Sequence, residues 1–426
     1  MVPAVTFAEA LRTWLKIGLL GFGGPAGQIA LMHRILVDEK KWVEEQRYLH
    51  ALNFCMLLPG PEAQKLATYV GWLLHGVRGG LAAGILFVLP GALVMLAFSL
   101  LYVMGQGIPV VDGALLGIKA AVLVIVVEAL IRIGRRALKT RLLVGIAGAA
   151  FVGIFFLDLP FPLIVVIAGV IGYLVSPSKG NHSATPLPSR WRQAGIATVV
   201  GLVLWWLPVL LCVMFLGKQH VFVDIGVFFS KLAVVSFGGA YALLAYMAQQ
   251  AVETYGWMSA PEMVDGLGLA ETLPGPLIKV TQFVGFLGAW RSPEPFSPVT
   301  SAVLGSALTT WVTFVPPMLL IFAGAPFVEQ LRANQRLSGA LAAITAAVVG
   351  VVLNLTVWFA LHVLFPKVTE MRAGPLRWYA FDLWTLDLKV AALALVAALL
   401  AFVLHRGLVQ LVAIMACLGI AVRLFS

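Results

Sequence analysis

Long apolar runs separated by short polar loops make up most of this chain. They fall at 13–32, 50–75, 80–104, 109–131, 141–157, 160–175, 194–216, 221–247, 263–288, 299–323, 338–364, 386–404 and 408–425. An α-helix needs roughly 17–25 apolar residues to cross the hydrocarbon core. The pattern therefore predicts an all-α polytopic membrane protein with about 13 transmembrane helices, those at 141–175 and 386–425 being the weakest signals. Composition agrees, because 61% of the residues are hydrophobic, 11% are charged and the mean hydropathy is +0.98. A soluble domain could not hide that much apolar surface. The first run carries Lys16 and leads directly into further runs, so a first helix is expected there rather than a cleavable leader.

Two of the runs are interrupted by the same device. Asn53-Phe54-Cys55-Met56-Leu57-Leu58-Pro59-Gly60-Pro61-Glu62-Ala63-Gln64 sits inside 50–75, and Leu273-Pro274-Gly275-Pro276 sits inside 263–288. Proline lacks the N–H that a helix interior needs and crowds the preceding turn. In hydrocarbon the freed backbone groups cost several kcal/mol unless they find partners. Matching breaks in two halves of a membrane chain point to a transport site.

The halves are copies. Lys16–Pro61 aligns with Lys231–Pro276 without a gap, and 13 of the 46 columns are identical, where shared apolar composition alone gives roughly 4 or 5. Lys16/Lys231, Phe22/Phe237, Gly23/Gly238, Gly24/Gly239, Met32/Met247 and Trp42/Trp257 are among the pairs. Further on, Phe87 and Pro90 fall on Phe314 and Pro317. Three regions are expected: a first repeat at 1–175, a linker and connecting helix at 176–216, and a second repeat at 217–426. An odd number of spans between equivalent positions turns the second copy upside down, giving inverted-topology repeats with broken helices. The net charge of +10 resides in short loops, which fits cytoplasmic retention of those loops better than nucleic-acid binding. The cluster Arg132, Arg135, Arg136, Lys139 and Arg141 favours a cytoplasmic N-terminus, whereas the loop from His33 to Tyr48 argues against it.

Candidate chemistry gathers at the breaks. Adjacent glycines in Phe22-Gly23-Gly24 and Phe237-Gly238-Gly239 loosen the backbone, and Lys16 and Lys231 precede them at identical spacing. Close helix packing is the competing account of these glycines. Pro61 and Pro276 start half-helices whose free N–H groups carry roughly half a positive charge and attract anions. Asn53, Pro59, Gly60, Glu62, Gln64, Glu271, Pro274, Gly275 and Lys279 complete the expected substrate-binding set. Glu62 is also explained as a charge complementing a helix N-terminus, and Lys279 as an ammonium reaching for an interface. No nucleotide-binding motif, metal-ligand spacing or nucleophile context occurs, and the three cysteines stand apart, so no enzymatic activity, cofactor or metal is expected.

Gly21-Phe22-Gly23-Gly24-Pro25-Ala26-Gly27-Gln28-Ile29-Ala30, the stretch Ala51 to Gln64 and Tyr69-Val70-Gly71-Trp72-Leu73-Leu74-His75-Gly76 together resemble the chromate ion transporter family in its long, two-domain form. The resemblance covers nearly the whole chain and is looser in the second half, at Phe237-Gly238-Gly239-Ala240-Tyr241. It implies a multi-pass protein of the bacterial inner membrane that exports chromate and confers chromate resistance, with sulfate as the lookalike substrate. Protons as coupling ion and a homo-oligomer stay open. A sulfate or general oxyanion carrier and an anion channel are the competing readings.

Overall fold

A computed structural model describes residues 5–22, 24–176, 191–236, 240–324 and 335–425. The described chain is helical apart from one short hairpin, and it divides into two compact units. Residues 1–97, 177–240 and 273–338 form the first, and residues 98–176, 241–272 and 339–426 the second. Each unit therefore draws on both halves of the sequence.

In the first unit the apolar runs that contain breaks are pairs of short helices. The run 13–32 is α1 (Phe7–Leu20) and α2 (Gly24–His33), and 50–75 is α3 (Glu45–Leu57) followed by the start of α4 (Glu62–Met104). α4 itself turns at His75 and Gly76, where Gly76 adopts φ +61°. The arms on either side of that turn pack closely, since a Cβ on Gly71 would stand 2.4 Å from the Gly79 carbonyl. α8 (Trp191–Leu216), α9 (Val221–Val235), α12 (Val280–Arg291, entered through the 3-10 turn Leu277–Lys279) and α13 (Pro298–Gly324) complete the unit.

The second unit holds α5 (Pro109–Ala137), α6 (Arg141–Phe155), α7 (Phe161–Val175), α10 (Ala240–Gln249, all but its first residue) and α11 (Ala260–Thr272). It also holds α14 (Gln335–Leu364, from Gly339), α15 (Leu388–Ala398) and α16 (Leu408–Leu424). α16 lies tight along α5, where a Cβ on Gly117 would stand 1.8 Å from the Met415 carbonyl. Between α14 and α15 an antiparallel hairpin pairs β1 (Val368–Ala373) with β2 (Leu376–Phe381). An all-α reading does not anticipate it. Gly374 at φ +59° supplies the left-handed residue that a two-residue hairpin loop requires.

Five described helices are long and apolar enough to cross a membrane singly: Glu62–Gly105, Pro109–Ala137, Ala194–Leu216, Pro298–Gly324 and Gln335–Leu364. α1, of 14 residues, reaches only about 21 Å at about 1.5 Å per residue, against a hydrocarbon core of about 30 Å.

The offset of 215 residues seen in the sequence recurs in the backbone. α3 and α11 begin and end at equivalent positions (45 + 215 = 260, 57 + 215 = 272). Gly21 and Ser236, which close α1 and α9, have φ/ψ of −76°/63° and −78°/62°. Each copy follows its second helix with a π turn, Arg34–Glu39 or Gln250–Thr254. Trp42 N–H donates to Leu36, and Trp257 N–H to Ala251, both at 2.8 Å.

Candidate functional site

The two Pro-Gly-Pro breaks are held by hydrogen bonds that cross between the sequence halves within the first unit. Gly60 N–H donates to the Ser236 carbonyl at 3.0 Å, and Gly275 N–H donates to the Gly21 carbonyl at 2.8 Å. These are equivalent bonds with the halves exchanged (21 + 215 = 236, 60 + 215 = 275). The packing is exchanged too. Gly60 lies on Pro317, and Gly275 lies on Gly91. Both glycines are left-handed, at φ +102° and +96°, where a side chain is strained.

Around these bonds lies a small cavity of about 20 Å³, lined by Pro25, Gln28, Gly60, Pro61, Glu62, Ala63, Ser236, Pro276, Leu277 and Ile278. That is room for about one water. Pro61, Glu62 and Ala63 open α4; Pro276, Leu277 and Ile278 open the turn into α12; Pro25 stands in the first turn of α2. The first N–H groups of a helix have no intrahelical partner and form its positive end. Gln28 is fully buried beside this cavity. Its amide donates to the carbonyls of Gly21 (3.1 Å) and Gly275 (2.6 Å), and its own oxygen has no partner.

The carbonyl ends of the breaks face two buried ammonium groups. Lys65 donates to Leu58 O, and Lys279 donates to Leu273 O at 2.7 Å and to Pro274 O. Both lysines are 1% exposed. Sequence reasoning passed over Lys65, Gln28 and Ser236. Lys65 was findable, because it stands one column from the equivalent of Lys279 (279 − 215 = 64).

The expected site residues divide as follows. Pro59, Gly60, Pro61, Glu62, Pro274, Gly275 and Pro276 come together at the crossed breaks, with Phe22 half-buried and Gly24 at φ +67° nearby in sequence. Gln64 is buried, but its amide donates to Phe314 O at 3.0 Å, and it lines a separate, apolar cavity of about 580 Å³ between α4, α8 and α13. Lys16 and Lys231 do not reach the small cavity. Trp14, Ile17 and Gly18 fill the buried face of α1, and Phe228, Phe229 and Leu232 that of α9, so both lysines point outward and are exposed. Asn53 is exposed on α3, while Glu271 is 5% exposed at the end of α11 in the second unit. Gly23, Phe237, Gly238 and Gly239 lie outside the described residues.

Two ionic groups of the second unit are buried or nearly so. Lys119 Nζ stands 3.1 Å from Asp265, which also accepts from the Tyr102 hydroxyl at 2.9 Å. At the hairpin, the nearly buried Arg377 donates to Ile154 O (2.7 Å) and Phe155 O (3.3 Å) at the end of α6. It also pairs with Asp158 at 3.0 Å and Glu253 at 3.3 Å. Burial pushes the Glu253 carboxyl up to about 7, against the pull of the Arg377 guanidinium.

Apolar helices, paired breaks and a cavity ringed by helix N-termini define a polytopic membrane protein of the transporter class. The chromate transporter family model matches residues 8–173 and again 223–422, and the chain belongs to that family. It is 32% identical to a chromate transport protein of Pseudomonas aeruginosa over 87% of this chain and 85% of the relative. A chromate transport protein of Cupriavidus metallidurans is 26% identical over 82% of each. An uncharacterized transporter of Bacillus subtilis is 30% identical over 31% of this chain but 68% of its own length. No solved structure matches.

Proposed function

We propose that this protein exports chromate across a bacterial inner membrane as a secondary transporter and thereby confers chromate resistance. The observation that carries the reading is the cavity at the crossed breaks. It is lined by the opening residues of α4 and of the turn into α12, which come from opposite halves of the chain. Two helix N-termini lining one cavity attract an anion. The names of the relatives from Pseudomonas aeruginosa and Cupriavidus metallidurans support chromate as that anion.

The exchanged hydrogen bonds of Gly60 and Gly275 are what a two-fold relation between two copies produces. They support inverted repeats at 1–175 and 217–426 with a connecting helix between them, about 13 spans with the broken ones crossing in two pieces, and a cytoplasmic N-terminus. The Bacillus subtilis relative, which matches only part of this chain, supports a half-length unit as the founding element.

Driving force fits export. Moving two negative charges out of a cell that is negative inside gains roughly 4.6 kcal/mol per 100 mV. Glu62, at the cavity, is the group we assign to any coupled proton. The second reading is a sulfate or general oxyanion carrier, favoured by the same observation, because backbone N–H groups recognise the shape and charge common to both ions. An anion channel fits less well, since the cavity holds about one water rather than a continuous path.

Everted vesicles test the assignment. Vesicles containing the protein accumulate chromate above control vesicles, sulfate competes weakly, and collapsing the membrane potential lowers the plateau. Accumulation equal to controls removes the transport reading, and equal competition by sulfate replaces chromate by oxyanions in general.

A further inference from the structure

A break in a buried helix creates two ends of opposite sign, and an anion is drawn to only one of them. The carbonyls of Leu58, Leu273 and Pro274, at the break side that follows a helix end, carry the negative end. They lie beside the breaks whose following residues line the cavity. Left bare, they would oppose an anion held at the N-terminal ends.

They are not bare. Lys65 turns back from the first turn of α4 onto Leu58 O, and Lys279 turns back onto Leu273 O and Pro274 O. Leu58 and Leu273 are equivalent positions (58 + 215 = 273), whereas the lysines are not. Lys65 corresponds to Val280, and Lys279 to Gln64. Two copies thus deliver an ammonium to the same carbonyl from columns one residue apart. Both side chains are 1% exposed, and a buried ammonium costs several kcal/mol unless it is compensated. Packing alone gives no reason for the same costly contact to be met from two columns.

We propose that Lys65 and Lys279 are resident cations of the breaks. Each occupies a carbonyl-lined position of the kind that broken-helix carriers offer to a coupling cation. Each offsets the negative end of its break, so the break carbonyls do not oppose the N-terminal ends at the cavity. Transport is then independent of sodium and potassium, and removal of either lysine opens a monovalent cation site. The inference deepens the oxyanion reading and rests on it only for the flux measurement.

The experiment compares thermal melting of purified wild type, Lys65→Ala and Lys279→Ala in lithium, sodium, potassium and choline chlorides. Wild type melts at one temperature in all four. Each alanine variant melts lower in choline and recovers in one of the alkali salts. In vesicles the same variants lose about tenfold or more in apparent chromate affinity, and the same alkali ion restores it, whereas Lys→Arg variants keep the indifference to cations. Lys65→Gln and Lys279→Gln retain a donor without the charge, and they serve where an alanine variant fails to fold. Alanine or glutamine variants that ignore the cation, or a wild type that sodium specifically stabilises, overturn the proposal. Absence of chromate flux in wild type would remove the transport reading while leaving the melting result decisive here.

Discussion

At the scale of single residues, the break glycines are required by conformation and by contact with the opposite copy. Gly60 and Gly275 share a left-handed φ, which costs any L-residue about 1–2 kcal/mol. Their surroundings differ. A Cβ on Gly60 would meet Pro317 at 2.5 Å, whereas one on Gly275 finds its nearest neighbour at 3.5 Å. Gly60→Ala is therefore expected to lower the melting temperature clearly more than Gly275→Ala, and equal shifts would show that Pro317 yields freely. Glu253, in the turn after α10, gives a pH signature. Its carboxyl titrates near 7 when folded and near 4.5 when free, so folding takes up a proton in that window. Its contribution is present in full below about pH 4.5 and is lost as the pH rises through about 7. Melting curves from pH 4 to 8 should show this slope in wild type and a flatter one in Glu253→Gln. An unchanged slope would assign the titration elsewhere.

At the scale of elements, four of the long apolar runs are built from short pieces. The runs 13–32, 50–75, 221–247 and 263–288 each hold two helices, and in 50–75 and 263–288 Pro-Gly-Pro ends the first piece. The hairpin is the other element-scale feature. Arg377 joins β2 to the end of α6 and to Asp158 and Glu253, and its side chain is 3% exposed. Arg377→Ala leaves Glu253 without its guanidinium and the α6 carbonyls without a donor, while Asp158 keeps Arg372 at 2.9 Å, a loss of about 3 kcal/mol. The expected readout is faster proteolytic cleavage within 366–388. Arg377→Lys should rescue only partly, since an ammonium cannot reproduce the planar fork. Cleavage at the wild-type rate in both would mean that the strands hold without this anchor.

At the scale of the whole molecule, the arrangement of the copies in the membrane is the open prediction. Glu44 and Ser259 are exposed and occupy equivalent positions just before α3 and α11 (44 + 215 = 259). In inverted repeats they face opposite compartments. Single cysteines at these positions, in a background with Cys55, Cys212 and Cys417 replaced, should react with an impermeant maleimide from opposite sides; reaction from the same side would sink the inversion. The cationic loop from His33 to Tyr48 need not decide orientation. Lys40 pairs with Glu9 at 2.7 Å, Arg34 lies 3.6 Å from Glu39, and α1 is too short to carry the loop across by itself.

The sequence by itself determined the membrane class, the duplication and the place of each break, because these rest on apolar content, on column identities and on the backbone chemistry of proline and glycine. Pro59-Gly60-Pro61 and Pro274-Gly275-Pro276 needed no tertiary information to be recognised as paired interruptions. Tertiary structure decided which neighbours satisfy them. The bonds from Gly60 to Ser236 and from Gly275 to Gly21 join residues 176 and 254 positions apart (236 − 60, 275 − 21). No local pattern encodes such a contact. The lysines divide for the same reason. Lys16 and Lys231 stand in one conserved column of the duplication but on the outward faces of α1 and α9, whereas Lys65 and Lys279 stand in different columns and reach equivalent carbonyls. Column identity follows the chain, and charge compensation follows distance in the folded protein, which only packing sets.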